Sequence, residues 1–292
     1  MRRAIPRRME PSRHVEVQGV RVPTFVYGTA WKEDATAPLA RAALDSGFRG
    51  IDTANQRRHY FEAGVGEAIA GAFAAGLTRD ELFLQTKFTY AGGQDHRLPY
   101  DPRAPLATQV AQSFASSLEH LGVDHLDSYV LHGPSVRYGL SADDWETWKA
   151  MERLHGDGKT RLLGVSNVGL GQLEELYAGA AIKPAVVQNR CFAVTGWDRD
   201  VRRFCRERGI LYQGFSLLTA NPDVFRLRFV HEIARRRGMT LPQVVFRFAL
   251  AVGMVALTGT TAAEHMAEDL RAYDFALDAE EVRAIEEALA SG

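Results

Sequence analysis

An aspartate, a lysine and a histidine each close an apolar run of strand length in this chain. Asp52 ends FRGID, Lys87 sits near the end of LFLQTKF, and His132 follows LDSYVL. Lysine is scarce, five in 292 residues, and a charge that ends an apolar run is costly unless something uses it. In a parallel sheet or barrel the carboxyl ends of the strands open on one cleft, so successive strands would deliver an acid, a cation and an imidazole to one place. That is the pattern of an active site. The plainer alternative for Asp52 and Lys87 is a structural ion pair at two strand ends.

The elements that must position these residues follow from the alternation of short apolar runs with stretches of helical period. Eight strands are expected, over Thr24 to Gly28, Arg49 to Asp52, Leu82 to Lys87, Ser128 to His132, Arg161 to Val165, Ala185 to Asn189, Ile210 to Phe215 and Val255 to Thr258. Between them lie segments such as APLARAALDSG, APLATQVAQSFASSLEHLG and LGQLEELYAG, several closing on glycine as helices do. Eight strand-then-helix units with no linker between them make a single-domain α/β protein, a (β/α)8 TIM barrel over 15–292. Residues 1–14, basic and carrying two prolines, read as a mobile arm. The connection from Thr89 to Pro105 is long for a compact domain, and such loops are more often functional than accidental.

Composition narrows the classes. A formal net charge of −1 gives no electrostatic reason to bind nucleic acid or an anionic membrane surface. No run approaches the ~20 apolar residues that span a bilayer, and no signal-peptide core follows the first methionine. Cys191 and Cys205 offer neither a disulfide framework nor metal-ligand spacing, so no metal is expected, and both fit a reducing, cytoplasmic setting.

The segments GIDTA (50–54), VGEAI (65–69), QTK (85–87), LH (131–132), LLGVSN (162–167), the glutamine of VVQNR and GTTAAEH (259–265) together resemble the aldo-keto reductase family, from about Gly28 to Leu270. Each segment is weak alone; their order on eight strands carries the resemblance. It implies a nicotinamide-dependent reductase of aldehydes or ketones, with NADPH as cofactor and NADH possible. It also implies a catalytic aspartate, tyrosine, lysine and histidine, of which Asp52, Lys87 and His132 match directly. A carbonyl that accepts hydride becomes an alkoxide that must be protonated, and a phenol with a reference pKa of about 10 is a weak acid that needs tuning. On this reading the Lys87 ammonium lowers the phenol pKa, Asp52 orients the lysine, and His132 donates to the substrate oxygen.

The tyrosine departs from the family pattern. Its usual place, five residues after the aspartate, holds Arg57, while DTANQRRHYFEAG offers Tyr60, eight residues after Asp52. Tyr60 is the expected acid, with His59, Tyr90 and Tyr27 as substitutes. The resemblance further implies that Ser166, Asn167 and Gln188 bind the nicotinamide carboxamide, that Phe215 stacks on its ring, and that Ser216 and Leu218 approach the pyrophosphate. Thr29 and Asp52 join the cofactor set at the strand ends. At the adenosine end Gly259 stands where many members carry a lysine and His265 where they carry an arginine, leaving Thr260, His265 and Asp269 to hold that part. Trp31, Arg57, His59 and Tyr90 would form the substrate pocket. Two rivals stay open: altered chemistry on the same fold (imine or enone reduction, or assisted cyclisation), and a cofactor-binding regulatory protein without turnover. The sequence leaves the oligomeric state open.

Overall fold

The computed structural model describes residues 12–290. Eight parallel strands close into a barrel: β3 (Phe25–Gly28), β4 (Gly50–Asp52), β5 (Phe83–Phe88), β6 (Leu126–Leu131), β7 (Thr160–Ser166), β8 (Val186–Arg190), β9 (Leu211–Phe215) and β10 (Val255–Thr258), with β10 returning to pair with β3. Seven of these begin or end within two residues of the expected bounds, and β10 matches at both ends. The expectation of a single-domain (β/α)8 barrel is met.

Among the described residues ten α-helices pack around this wall or follow it, including α2 (Glu62–Ala74), α3 (Leu106–Leu121), α4 (Ala142–Gly156) and α9 (Ala263–Leu270). The glycine of VGEAI has a packing cause: a Cβ on Gly66 would lie 1.9 Å from the His120 carbonyl oxygen, so only a residue without one lets α2 close on the last turn of α3.

A hairpin that the sequence reading left out precedes the barrel. β1 (His14–Val17) and β2 (Val20–Pro23) pair antiparallel across Gln18 and Gly19, both of which have positive φ. Val17, Val20 and Val22 bury themselves against Phe83, Leu162 and Val186, which lie at or near the starts of barrel strands, so the hairpin plugs the end opposite the site. The expected arm therefore gives way to ordered structure at its last residue, His14, which pairs with Pro23; residues 1–11 of that arm lie outside the described residues.

Register places the chemistry. Asp52 is the Cα partner of Gly28 on one side and of Gln85 on the other, and Gln188 pairs with Gln213. Gln85 and Lys87, two apart on β5, share its inward face.

Candidate active site

Lys87 is fully buried, and its three N–H donors are all taken: Asp52 Oδ1 and Oδ2 at 2.7 Å each, and the Thr53 carbonyl at 2.7 Å. Burial lowers the Lys87 pKa against the opposing pull of Asp52. The ion pair is held by a ring of three amides, of which only Gln188 was an expected site residue. Gln85 and Gln188 both donate to Asp52 Oδ1, at 2.7 and 3.0 Å, and both also donate to Gln213 Oε1, which lies 2.7 Å from the first and 2.8 Å from the second. Gln213 in turn donates to Gln85 Oε1 at 3.1 Å. A carboxylate can only accept, so Asp52 fixes which way Gln85 and Gln188 face, and they fix Gln213. Gln188 is thereby left with Oε1 to offer to the cleft.

Tyr60 arrives from the loop between β4 and α2, where its N–H and that of His59 donate to the Gln56 carbonyl, at 2.9 and 3.1 Å, in a tight turn. Its ring lies 5.3 Å from Lys87 Nζ and meets the His132 ring edge to face, with centroids 5.9 Å apart. Tyr60, Lys87 and His132 are thus brought together despite the displaced register of the tyrosine. The electrostatics differ from the expectation: burial, reinforced by the Asp52 charge, pushes the phenol pKa well up rather than down. The physical reason is that Asp52 neutralises the lysine and engages two of its hydrogens, so the phenol meets an ion pair rather than a free cation. His132 is driven down to about 3 by burial, then by Lys87 and His59, so its imidazole is neutral. Its Nδ1 lies 2.7 Å from Thr89 Oγ1.

One cleft of about 730 Å³ opens over the carboxyl ends of the strands, and Asp52, Tyr60 and His132 line it. So do Ser166, Asn167, Gln188, Phe215, Ser216 and Leu218. Ser166 Oγ donates to the Gln188 carbonyl at 2.6 Å, and Asn167 Nδ2 donates to the His132 carbonyl at 2.8 Å and to Ser166 Oγ at 3.2 Å. What these side chains leave free is a set of acceptors, matched to an amide N–H2 group. Asn167 and Ser216 both hold positive φ, at 53° and 56°, a strained backbone that clusters at functional sites.

At another part of the cleft Gly259, Thr260, His265 and Asp269 line the wall. Asp269 accepts from Thr258 Oγ1 at 2.8 Å, and burial raises its carboxyl to about 6. The expectation that this part lacks a lysine is corrected by Lys32, which comes from the far side of the barrel seam. Its Nζ donates to the Gly259 carbonyl at 2.7 Å, and a Cβ on Gly259 would approach that nitrogen to 3.5 Å. Burial lowers the Lys32 pKa to about 8. The signal was available, since Lys32 is one of five lysines and follows the first barrel strand by four residues. Beside it α9 begins at Ala263 with no side-chain cap, leaving backbone N–H groups open to an anion.

Thr29, Tyr90 and Arg57, also expected at the site, stand elsewhere. Thr29 is buried, and both its N–H and its hydroxyl donate to the Asp52 carbonyl at 3.0 Å, so its hydroxyl holds the strand end and does not line the cleft. Tyr90 donates to Asp144 at 2.9 Å and pairs with the Thr147 hydroxyl at 3.1 Å on α4, because those groups satisfy its half-buried hydroxyl. Arg57 lies over the Phe61 ring at 4.3 Å and lines a separate pocket behind the Tyr60 loop. Trp31, 70% exposed, lines the cleft with its ring stacked on His59 at 3.9 Å.

The sequence model of the Aldo/keto reductase family matches residues 24–221 and 226–290. The chain belongs to the aldo/keto reductase family. Aldo/keto reductases act as nicotinamide-dependent oxidoreductases on carbonyl groups, and this chain is an enzyme of that class. Among its relatives, glyoxal reductase of Bacillus subtilis is 31% identical over 271 residues, covering 92% of this chain and 89% of the relative. NADPH-dependent codeinone reductase 1-4 of Papaver somniferum is 32% identical over 293 residues, covering 92% and 87%. Among solved structures, the aldo/keto reductase from Brucella melitensis superimposes with a TM-score of 0.80 at 26% identity, covering 94% of this chain and 98% of that one. Among the described residues no helix is long and apolar enough to cross a membrane.

Proposed function

We propose that this aldo/keto reductase reduces a small aldehyde or ketone with NADPH, and that Tyr60 protonates the product oxygen. The reading rests on one observation above all: a phenol, a neutral imidazole and a lysine–aspartate pair meet where the cleft reaches the strand ends. The bound cofactor would supply the hydride. Ser166, Asn167 and Gln188 would accept from its carboxamide, and Phe215 would present an aromatic face to its ring. Lys32, Thr260 and the open start of α9 would bind phosphate, with His265 beside them. A lysine there favours NADPH; Asp269, once ionised, opposes a second negative charge nearby, so NADH is accepted more weakly rather than excluded.

The chain's own residues then handle the proton. His132 orients the carbonyl oxygen through its ring nitrogen, and Tyr60, kept protonated by burial, delivers its hydrogen as negative charge develops on that oxygen. Lys87, already paired with Asp52, would offset only part of the charge on the phenolate left behind, and Asp52 with its amide ring keeps Lys87 in place. Trp31 and His59 would form the aromatic wall against which substrate lies. The relatives named as glyoxal and codeinone reductases support a carbonyl substrate. NADPH oxidation measured with a panel of aldehydes and ketones tests the proposal. Turnover of at least one is expected, whereas tight NADPH binding with no turnover would point instead to a regulatory protein.

A further inference from the structure

We infer that Thr89 is a positioning residue for the proton-transfer site: its hydroxyl donates to His132 Nδ1 and thereby fixes the imidazole tautomer that carries its hydrogen on Nε2. The inference rests on the proposed role of His132 as the group that orients the carbonyl. Thr89 Oγ1 lies 2.7 Å from His132 Nδ1, and Thr89 is 6% exposed. Among the described residues this hydroxyl has no other hydrogen-bond partner, and a buried O–H left without an acceptor is costly. The imidazole is neutral, so only one of its nitrogens carries hydrogen. If that were Nδ1, the Thr89 hydrogen would be orphaned and Nε2 would offer a lone pair to the carbonyl oxygen. With Thr89 as donor, both groups are satisfied and Nε2–H is free to donate.

The long connection after β5 holds Thr89 in that pose. Its carbonyl accepts from Tyr100 Oη at 2.7 Å and from Gln94 Nε2 at 3.4 Å. A Cβ on Gly93 would lie 2.7 Å from Thr89 Cγ2, so only a residue without one lets the loop pass this close to the threonine methyl. The same loop is tied to the tyrosine segment: Gln56 Nε2 donates to the Gly93 carbonyl at 2.7 Å and Gln94 Nε2 to the Asn55 carbonyl at 2.8 Å. The turn that accepts from Tyr60 N–H is built on that same Gln56. One loop thus sets the tautomer of the imidazole and the placement of the phenol.

The test is 15N NMR of the histidine side chains at neutral pH in the wild type, Thr89→Val and Thr89→Ser, with the His132 signal assigned from His132→Asn. The wild type and Thr89→Ser are expected to show an unprotonated Nδ1 and a protonated Nε2, and Thr89→Val a mixture of tautomers. In parallel, kcat for carbonyl reduction should fall roughly 10-fold in Thr89→Val, the scale of one lost hydrogen bond, with the NADPH Kd unchanged and Thr89→Ser close to wild type. A wild-type His132 protonated on Nδ1, or a Thr89→Val spectrum identical to wild type, would overturn the inference. Because the tautomer is read without turnover, a protein that shows the expected spectra yet reduces no carbonyl would support the role of Thr89 and refute the proposed function instead.

Discussion

Lys87→Met should damage stability and chemistry together, and the structure sets the scale. The substitution keeps the stem but removes three hydrogen bonds at 2.7 Å and leaves Asp52, 3% exposed, without its cation. Removing one partner of a buried pair costs about 3–5 kcal/mol. Asp52 retains Gln85 and Gln188 as donors, which places the loss at the lower end, about 3 kcal/mol. An unpaired buried carboxylate is relieved by taking up a proton, so the native variant binds more protons than its unfolded chain, and its stability falls as pH rises. Urea denaturation at pH 4.5 and 7.5 should therefore show a larger deficit against wild type at pH 7.5. Asp52→Asn combined with Lys87→Met should be less destabilised than Lys87→Met alone, because no buried charge remains. A loss below about 1 kcal/mol at both pH values would refute the reasoning, since broken buried pairs cost several-fold more. A double variant whose loss is the sum of the single losses would refute it equally. Single-turnover hydride transfer should slow by orders of magnitude while NADPH still binds.

Two further outcomes follow from the buried cations and the imidazole. NADPH affinity, read by fluorescence titration, should fall as pH rises through about 8, where Lys32 loses its proton. Lys32→Met should bind NADPH roughly 10-fold more weakly at pH 7, the scale of one charged hydrogen bond, and lose that pH dependence. For His132, the unfolded ring titrates near 6.5 and the folded one near 3. Between those values the unfolded chain binds more protons, so this residue makes stability fall with falling pH by at most about 1.4 kcal/mol per unit. Thermal unfolding of His132→Gln at pH 4 and 6.5 should show a flatter acid limb than wild type.

The barrel was legible because its strands are short, apolar and regularly spaced, and because Asp52, Lys87 and His132 interrupt them with charge or polarity at their ends. What stayed hidden depends on register and closure. Gln85 and Gln213 are polar residues inside strand-length runs, 128 positions apart, and only the closed sheet brings their amides within 2.7 Å. Lys32 reaches Gly259 across the β10–β3 seam, a contact 227 residues apart in the chain. The hairpin was missed although Val15, Val17, Val20 and Val22 flank Gln18 and Gly19, because the basic, proline-bearing start outweighed that alternation. Tyr90 was misplaced for a simpler reason. Its position after β5 is compatible with two directions, and the polar groups on α4 decide between them.

The central claim, that Tyr60 supplies the proton from a loop out of register with its family, is tested most directly by single-turnover reduction with Tyr60→Phe, which keeps the ring and removes the acid. The rate should fall at least ~100-fold, the scale of losing a general acid, while NADPH affinity barely changes and His59→Ala has a much smaller effect. Tyr60→Phe reducing carbonyls at the wild-type rate would contradict the account. If His59→Ala were then inactive, the proton would come from an imidazole, and if it too were active, the chemistry would lie off this loop.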